Sequence, residues 1–169
     1  TPFALPGNCA GGIAWSWISI VVYVWGLRRL VRDVLPGSWL PRREAALLVF
    51  AMLGAFRGLW NAQSNALIIG LLMLGASAMA RRRWWEAACL LGGPIFIKLW
   101  AAVIALLLTA LEARKVAPRL AVVLVVGAAL PFVTQRPGVV LDQYSSWFGF
   151  LARMSNEVLA NYRDTWTLL

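Results

Sequence analysis

The longest apolar run of the sequence, residues 45–80, limits most strongly what this chain can fold into. Over these 36 positions polar side chains fall almost entirely between residues 57 and 65. A single helix of this length would reach about 54 Å, whereas the hydrocarbon core of a bilayer is only about 30 Å thick. The run must therefore turn back on itself. The polar patch Asn61-Ala62-Gln63-Ser64-Asn65 is the predicted turn of a helical hairpin.

The composition indicates that the rest of the chain also lies in lipid. Of the 169 residues, 61% are hydrophobic and 14% are charged, whereas soluble domains are about 45–50% apolar. Further apolar runs cover residues 11–27, 84–111 and 119–133, and many of the ten Trp stand near run ends, as in interfacial aromatic belts. We predict an all-α integral membrane fold of about five to six short transmembrane or re-entrant helices, with an amphipathic C-terminal segment.

The net charge of +9 suggests a nucleic-acid partner at first, but its distribution argues against one. The basic residues stand in clumps at the ends of apolar runs, which is where the positive-inside rule places cytoplasmic loops. A nucleic-acid site would need them on one water-facing surface. We therefore predict no nucleic-acid partner, and we predict that residues 28–44 and 81–83, which hold 8 of the 16 basic residues, are cytoplasmic.

Residues 84–111 allow two arrangements. A single tilted span kinked at Pro94 is long enough, but it would place Arg114 and Lys115 outside, against the charge bias. A broken or re-entrant hairpin with its bend near residues 92–98 keeps both basic ends cytoplasmic, although its arms are too short to cross alone. Irregular backbone at this depth is tolerated where it lines a protein cavity, and the charge bias favours the hairpin.

The C-terminal residues 134–169 mix aromatic and charged side chains, which predicts an extracytoplasmic, amphipathic segment lying on the membrane. Three acidic residues in it, Asp142, Glu157 and Asp164, are candidates for a general base, although such charges more often form a solvated face. We expect residues 1–169 to form a single membrane domain. Because the sequence begins with Thr1, we also expect it to be a piece of a longer protein.

Polar side chains inside the apolar runs are the main candidates for a binding site. Arg57, Asn61 and Asn65 are spaced four apart, with Gln63 between the last two, and Lys98 stands among apolar neighbours. Ionisable groups at membrane depth are costly and usually functional. If Lys98 and the Asn61–Asn65 turn lie on the same membrane side, they form a polar pocket suited to a phosphate-bearing lipid. The alternative is that Arg57 and Lys98 simply extend to the interface.

Some chemistries are excluded because the chain lacks the residues for them. The sequence contains no His, so it has no imidazole ligand for haem, zinc or copper and no His general base. Cys9 and Cys89 lie in different segments, and Cys89 stands inside an apolar run, where a small apolar filler is expected. We predict neither a metal site nor a cofactor.

The order of motifs in the middle of the chain resembles a known family. Gln63-Ser64-Asn65 opens an apolar helix, the basic cluster Arg81-Arg82-Arg83 follows, and a helix rich in small residues then ends at Lys98. This order resembles the middle of bacterial integral-membrane glycosyltransferases of family 87, in the GT-C superfamily. The later stretch ALPFVTQRPGVVLDQYSSWFGFL is similar to the next span and loop of that family, so the resemblance extends from about residue 45 onward.

The resemblance implies a transferase of the bacterial cytoplasmic membrane that moves a sugar, commonly mannose, from a polyprenyl-phosphate donor to an extracytoplasmic acceptor. It implies that Gln63, Asn65 and Lys98 face the donor. The family usually has Lys-x-x-Pro where Lys98 is followed by Ala101. GT-C enzymes use an acidic residue in an early extracytoplasmic loop, and no acidic residue precedes Asp33, so no catalytic residue is assigned.

Two other functions are compatible with the sequence. The chain could be a non-catalytic structural subunit packed against other membrane subunits of a larger complex, which the missing His and the missing early acid favour if the chain is full length. A transporter is the third hypothesis, because short helices and a buried Lys can line a substrate path. An upstream membrane segment carrying an acidic loop would support the enzyme.

Overall fold

In the computed structural model, the backbone is described for residues 8–35, 41–60 and 63–166, and all regular structure in these ranges is helical. Side chains are described for residues 10–35, 45–56 and 63–154. The predicted all-α class is confirmed. The chain divides into two compact units, Thr1–Val125 and Val126–Leu169. The helices are α1 (Asn8–Asp33), α2 (Pro41–Trp60), α3 (Asn65–Ala80), α4 (Trp84–Ile97), α5 (Ala101–Leu111), α6 (Ala113–Ala129), α7 (Pro131–Thr134) and α8 (Pro137–Trp166).

The apolar run of residues 45–80 is interrupted where the sequence predicts a turn. Helix α2 ends at Trp60 and α3 begins at Asn65, so residues 45–80 do not form one continuous helix. Helix α2 also packs on α1, where the Tyr23 hydroxyl donates a hydrogen bond to the Ala51 carbonyl at 3.1 Å.

The first unit is built on a close crossing of α1 and α3. A Cβ placed on Gly26 would collide with the Gly70 carbonyl, and a Cβ on Gly70 would lie 2.8 Å from backbone atoms of Tyr23. Farther along, the Ser77 hydroxyl donates a hydrogen bond to the Asp33 carboxylate. Gly26 and Gly70 are separated by 44 positions in the chain, and so are Asp33 and Ser77, so α1 and α3 run parallel. Small residues at such crossings let membrane helices approach closely.

Helix α3 ends in a Schellman motif that directs the chain into α4. The Arg83 amide donates to the Ala78 carbonyl and the Arg82 amide to the Met79 carbonyl, both at 2.9 Å. This motif requires a left-handed residue, and Arg82 adopts it with φ 58°. Helix α4 then returns along α3, where Leu91 fills the space above Gly75.

Helices α4 and α5 form a hairpin rather than one kinked span. Trp84 begins α4, and its ring lies 4.8 Å from the Lys115 ammonium at the start of α6. Trp85 lies 5.6 Å from the guanidinium of Arg119. Helix α5 has therefore returned to the end where α4 began. Of the two arrangements that the sequence allows, the structure has the hairpin.

The bend of this hairpin falls at Lys98, the last residue of the predicted range 92–98. Helix α4 continues through Gly92, Gly93 and Pro94 to Ile97. Lys98 then adopts an extended conformation, with φ −148° and ψ 130°. Gly92 packs against side chains of α6, and a Cβ there would meet Val123 Cγ1 at 2.8 Å. Gly92 thus permits close packing against α6, and the helix continues through this point.

The boundaries of two other elements differ from the sequence expectation. Helix α1 does not stop at Leu27 but continues to Asp33, because Leu27 and Val31 are both buried and extend its packed face. The arginines of this stretch are thus helical. Helix α6 begins at Ala113 rather than at Arg119 and ends at Ala129, because buried Val116 and Leu120 anchor its first turns.

Inside the first unit, a core of aliphatic and small side chains joins α3, α4, α5 and α6, with Ile68, Ala87, Leu91, Ala105 and Val116 fully buried. The outside carries large apolar side chains such as Phe50, exposed by 74%. Such a surface is suited to lipid rather than to water. Among the residues that the structure describes, two helical stretches, Ala10–Asp33 and Ala113–Thr134, are long and apolar enough to cross a bilayer, and four apolar helices are shorter.

The second unit contains the end of α6, then α7 and α8. The Tyr144 hydroxyl donates to the Ala128 carbonyl at 2.7 Å, and its ring lies 6.1 Å from that of Phe132. Residues 137–166 form one helix of 30 residues. The placement of residues 134–169 on the outer membrane surface stays a prediction.

Candidate functional site

Lys98 occupies the break between α4 and α5. Its amide donates to the Pro94 carbonyl at 3.0 Å and completes the last turn of α4, and its carbonyl accepts from the Ala101 amide at 3.1 Å as α5 begins. Because the backbone at Lys98 is extended, the helix stops here while both peptide groups remain satisfied. The half-buried side chain is thereby carried by the tip of a helical hairpin rather than by a helix face.

Three side chains that the sequence singles out are joined by hydrogen bonds at this tip. The Lys98 ammonium donates to Asn65 Oδ1 at 2.9 Å. The Asn65 amide nitrogen in turn donates to Gln63 Oε1 at 3.0 Å. We call Gln63, Asn65 and Lys98 the amide–lysine cluster. The expectation that Lys98 lies beside Gln63 and Asn65 agrees with these contacts, whereas the role of the cluster in binding stays a prediction.

The cluster keeps unused capacity to bind an anion. An ammonium group has three donors, and within the described part of the chain only Asn65 accepts from Lys98. Helix α3 begins at Asn65, and Ser64, which precedes it, makes no side-chain capping bond. The positive end of the α3 dipole therefore adds to the charge of Lys98. The geometry suits a group with several acceptor oxygens, such as a phosphate.

The cluster lies at the end of the first unit opposite the basic clumps. Helix α3 runs from Asn65 toward Ala80, and the arginines 81–83 follow it. At that far end Trp84 contacts Lys115 and Trp85 contacts Arg119. The basic clumps are thus gathered at one end of the first unit, here called the basic end, and Lys98 lies at the other end.

Other predicted site residues are not brought into the cluster. Arg57 belongs to α2, but its side chain lies outside the described residues, as does the whole of Asn61. Asp142 is exposed on α8. Glu157 and Asp164 are helical, and their side chains lie outside the described part. The structure therefore assigns no general base.

A second polar connection was not anticipated from the sequence. Asp33 accepts a hydrogen bond from Ser77 and lies 3.9 Å from the Arg29 guanidinium. The spacing of Arg29 and Asp33, four apart on α1, is a signal of an ion pair. Ser77 gives no comparable signal, because nothing in the sequence shows that α1 and α3 are parallel neighbours. Among the described residues, no group of three or more His, Cys, Asp or Glu side chains could hold a metal ion.

Comparison with known protein families gives a similarity over almost the whole chain. The family model of Glycosyltransferase family 87 matches residues 1–167, almost the whole chain. Neither the curated proteins nor the solved structures gave a match.

Proposed function

Because this chain belongs to glycosyltransferase family 87, a family of membrane glycosyltransferases, we propose that it transfers a sugar from a polyprenyl-phosphate donor to an acceptor on the extracytoplasmic face of the bacterial cytoplasmic membrane. Mannose is the sugar to test first. The amide–lysine cluster is the proposed site for the donor phosphate. The observation that carries this proposal is the contact of Lys98 with Asn65 at 2.9 Å.

The charge distribution supports an extracytoplasmic position for the amide–lysine cluster. The basic clumps lie together at one end of the first unit, and the positive-inside rule assigns such an end to the cytoplasm. The amide–lysine cluster lies at the other end. Helix α4 has 14 residues and rises about 21 Å, so Lys98 would lie roughly 9 Å below the outer edge of a 30 Å core. A lipid-linked phosphate can reach this depth while its prenyl chain stays in the bilayer.

The cluster can favour the departure of the phosphate. In transfer, the bond between the sugar and the phosphate oxygen breaks and its electron pair stays on that oxygen. The acceptor hydroxyl forms a new bond to the sugar and releases its proton to water. Negative charge grows on the leaving phosphate oxygen. Lys98 can stabilise that charge with its free donors, and Asn65 holds the ammonium in place. Fixed donors aimed at developing charge commonly contribute about 10²–10³-fold in rate.

The test compares the two lysines of the chain. Lys98→Ala should lower transfer of labelled mannose from a polyprenyl-phosphate donor by about 10²-fold or more. Lys98→Arg should recover part of the loss because the charge is retained. Lys115→Ala is the matched control, since Lys115 is half-exposed at the basic end and pairs with Glu112 at 3.2 Å. Loss of an exposed pair changes stability by less than about 1 kcal/mol.

Folding and function must be measured on the same samples. Unfolding of each variant in detergent, followed by tryptophan fluorescence, shows whether Lys98→Ala is still folded. A folded Lys98→Ala protein with undiminished transfer would refute the role of the cluster. A wild-type protein that binds the donor lipid without transferring its sugar would favour a non-catalytic membrane subunit.

A further inference from the structure

A cavity of about 470 Å³ opens between α1, α3 and α4 at the basic end of the first unit. Its volume is within the range of about 300–1,000 Å³ usual for ligand sites. We call it the arginine cavity, because three arginines line it: Arg29 from α1, and Arg81 and Arg83 from the turn between α3 and α4. The lining residues are Trp25, Arg29, Leu74, Ser77, Arg81, Arg83, Glu86, Cys89 and Leu90.

The lining changes from apolar to cationic along the bundle axis. On α3 and its end, Leu74 and Arg81 are seven positions apart, which is about 10 Å along a helix. Helix α4 runs antiparallel to α3, so here the arginine comes first in the chain. Arg83, directly before α4, precedes Leu90 by the same seven positions. Trp25 stands one turn before Arg29 on α1. The three helices thus contribute apolar side chains on the inner side, and the arginines of α1 and of the α3–α4 turn lie at the end of the bundle.

The charges on the rim are only partly compensated. Arg83 is paired with Glu86 at 3.1 Å, and Arg29 lies 3.9 Å from Asp33. Within the described part of the chain, no hydrogen bond or ion pair engages the side chain of Arg81. With three arginines and one glutamate in the lining, the cavity keeps a net positive charge, and Arg81 is its free donor.

We propose that the arginine cavity binds an anionic phospholipid of the adjacent leaflet, with the lipid phosphate at Arg81 and Arg29. The acyl chains then run past Trp25, Leu74 and Leu90 toward the bilayer centre. A free phosphate would use the rim but leave the apolar wall unfilled, whereas a zwitterionic lipid would bring its own cation toward the arginines. Basic pockets between helices at a cytoplasmic surface are suited to such headgroups. This proposal is independent of the transferase reaction.

The test measures lipid affinity of the full chain in a neutral detergent by native mass spectrometry. Phosphatidylglycerol should bind at least about fivefold more tightly than phosphatidylcholine of the same chain length, and inorganic phosphate should not compete at comparable concentrations. Arg81→Gln should weaken phosphatidylglycerol binding about fivefold, and Arg81→Lys less. Arg114→Gln removes the same charge from an exposed position outside the cavity and should change affinity by less than about twofold.

The position of the bound lipid in the arginine cavity is tested separately, with phosphatidylglycerol brominated on its acyl chains. Bound lipid should quench tryptophan fluorescence, and Trp25→Phe should remove part of that quenching. Equal weakening by Arg81→Gln and Arg114→Gln would show diffuse attraction to the basic end and overturn the proposal. Equal binding of phosphatidylcholine, or full competition by inorganic phosphate, would also overturn it. If Arg81→Gln unfolds, the comparison of Arg81→Lys with Arg114→Lys decides by the same criterion.

Discussion

The substitution Gly70→Ala tests the helix crossing on which the first unit is built. A Cβ at this position would lie 2.8 Å from the Cα and N of Tyr23 and from the carbonyl carbon of Val22. Favourable contacts between carbon atoms need about 3.5–4.0 Å, so α1 and α3 must separate by roughly 0.7 Å or more. All three atoms belong to the backbone, and no rotamer change can relieve the collision.

The cost follows from the contacts that such a shift weakens. A gap of 0.5–1 Å loses about a quarter to a half of a contact worth about 0.1–0.2 kcal/mol. For an interface of about 40 atom pairs, the number made by one buried Leu, the loss is about 1–4 kcal/mol, with a central value of about 2.5 kcal/mol. The better helix propensity of Ala returns about 0.5–1 kcal/mol. We therefore expect Gly70→Ala to lower the free energy of unfolding by about 1–2 kcal/mol.

Gly54→Ala is the matched control, because Gly54 lies within α2 and a Cβ there meets nothing within 4 Å. It should raise the free energy of unfolding by about 0.5–1 kcal/mol. The measurement is reversible unfolding by SDS in mixed micelles, followed by tryptophan fluorescence and extrapolated linearly. If both alanine variants are stabilised equally, α1 and α3 do not approach as closely as described, and the reasoning fails.

Three smaller perturbations test other parts of the fold. Arg82→Gly should raise the free energy of unfolding by about 0.5–1 kcal/mol, since a glycine adopts φ 58° without strain; a destabilised variant would contradict the Schellman turn. Tyr23→Phe removes the hydrogen bond to Ala51 and should lower the free energy of unfolding by about 0.6 kcal/mol, measured in the same SDS titration. An unchanged free energy of unfolding would mean that this hydrogen bond does not hold α2 against α1. In a background lacking Cys9 and Cys89, a cysteine at position 63 should react with an impermeant maleimide from outside the cell and one at position 82 should not; the reverse pattern would invert the proposed topology.

Much of the helical architecture could be predicted from apolar run length and charge. The run at residues 45–80 is too long for one crossing, and the chain breaks between Trp60 and Asn65 as expected. The charge bias also favours the α4–α5 hairpin over a kinked span, and the contact of Trp84 with Lys115 agrees with that choice. Both inferences use lengths and signs of charge, which the sequence states directly.

The contacts that fix the packing were less accessible to sequence reasoning. Gly26 and Gly70 look like ordinary small residues of apolar helices, and only the parallel arrangement of α1 and α3 makes them face each other. The bend before α5 was expected within residues 92–98 and falls at Lys98, the last of them, but the sequence did not show that Gly92 packs closely against Val123. The residues of the candidate site could be named because polar groups are rare in apolar runs, whereas the hydrogen bonds that join them depend on the positions of two separate turns.

The contact between Asn65 and Lys98 also bears on the order in which the protein is made. Drawing a lysine into a bilayer costs up to about 2.5–3.5 kcal/mol at the centre of a helix, and Asn65 offsets part of that cost only after α3 is in place. Asn65 precedes Lys98 by 33 residues, which at about 5–20 residues per second is a lead of roughly 2–7 s during synthesis. Asn65, the hydrogen-bond acceptor, is therefore synthesised before Lys98. When the α4–α5 hairpin enters the membrane, Asn65 is already in place to accept a hydrogen bond from the Lys98 ammonium group.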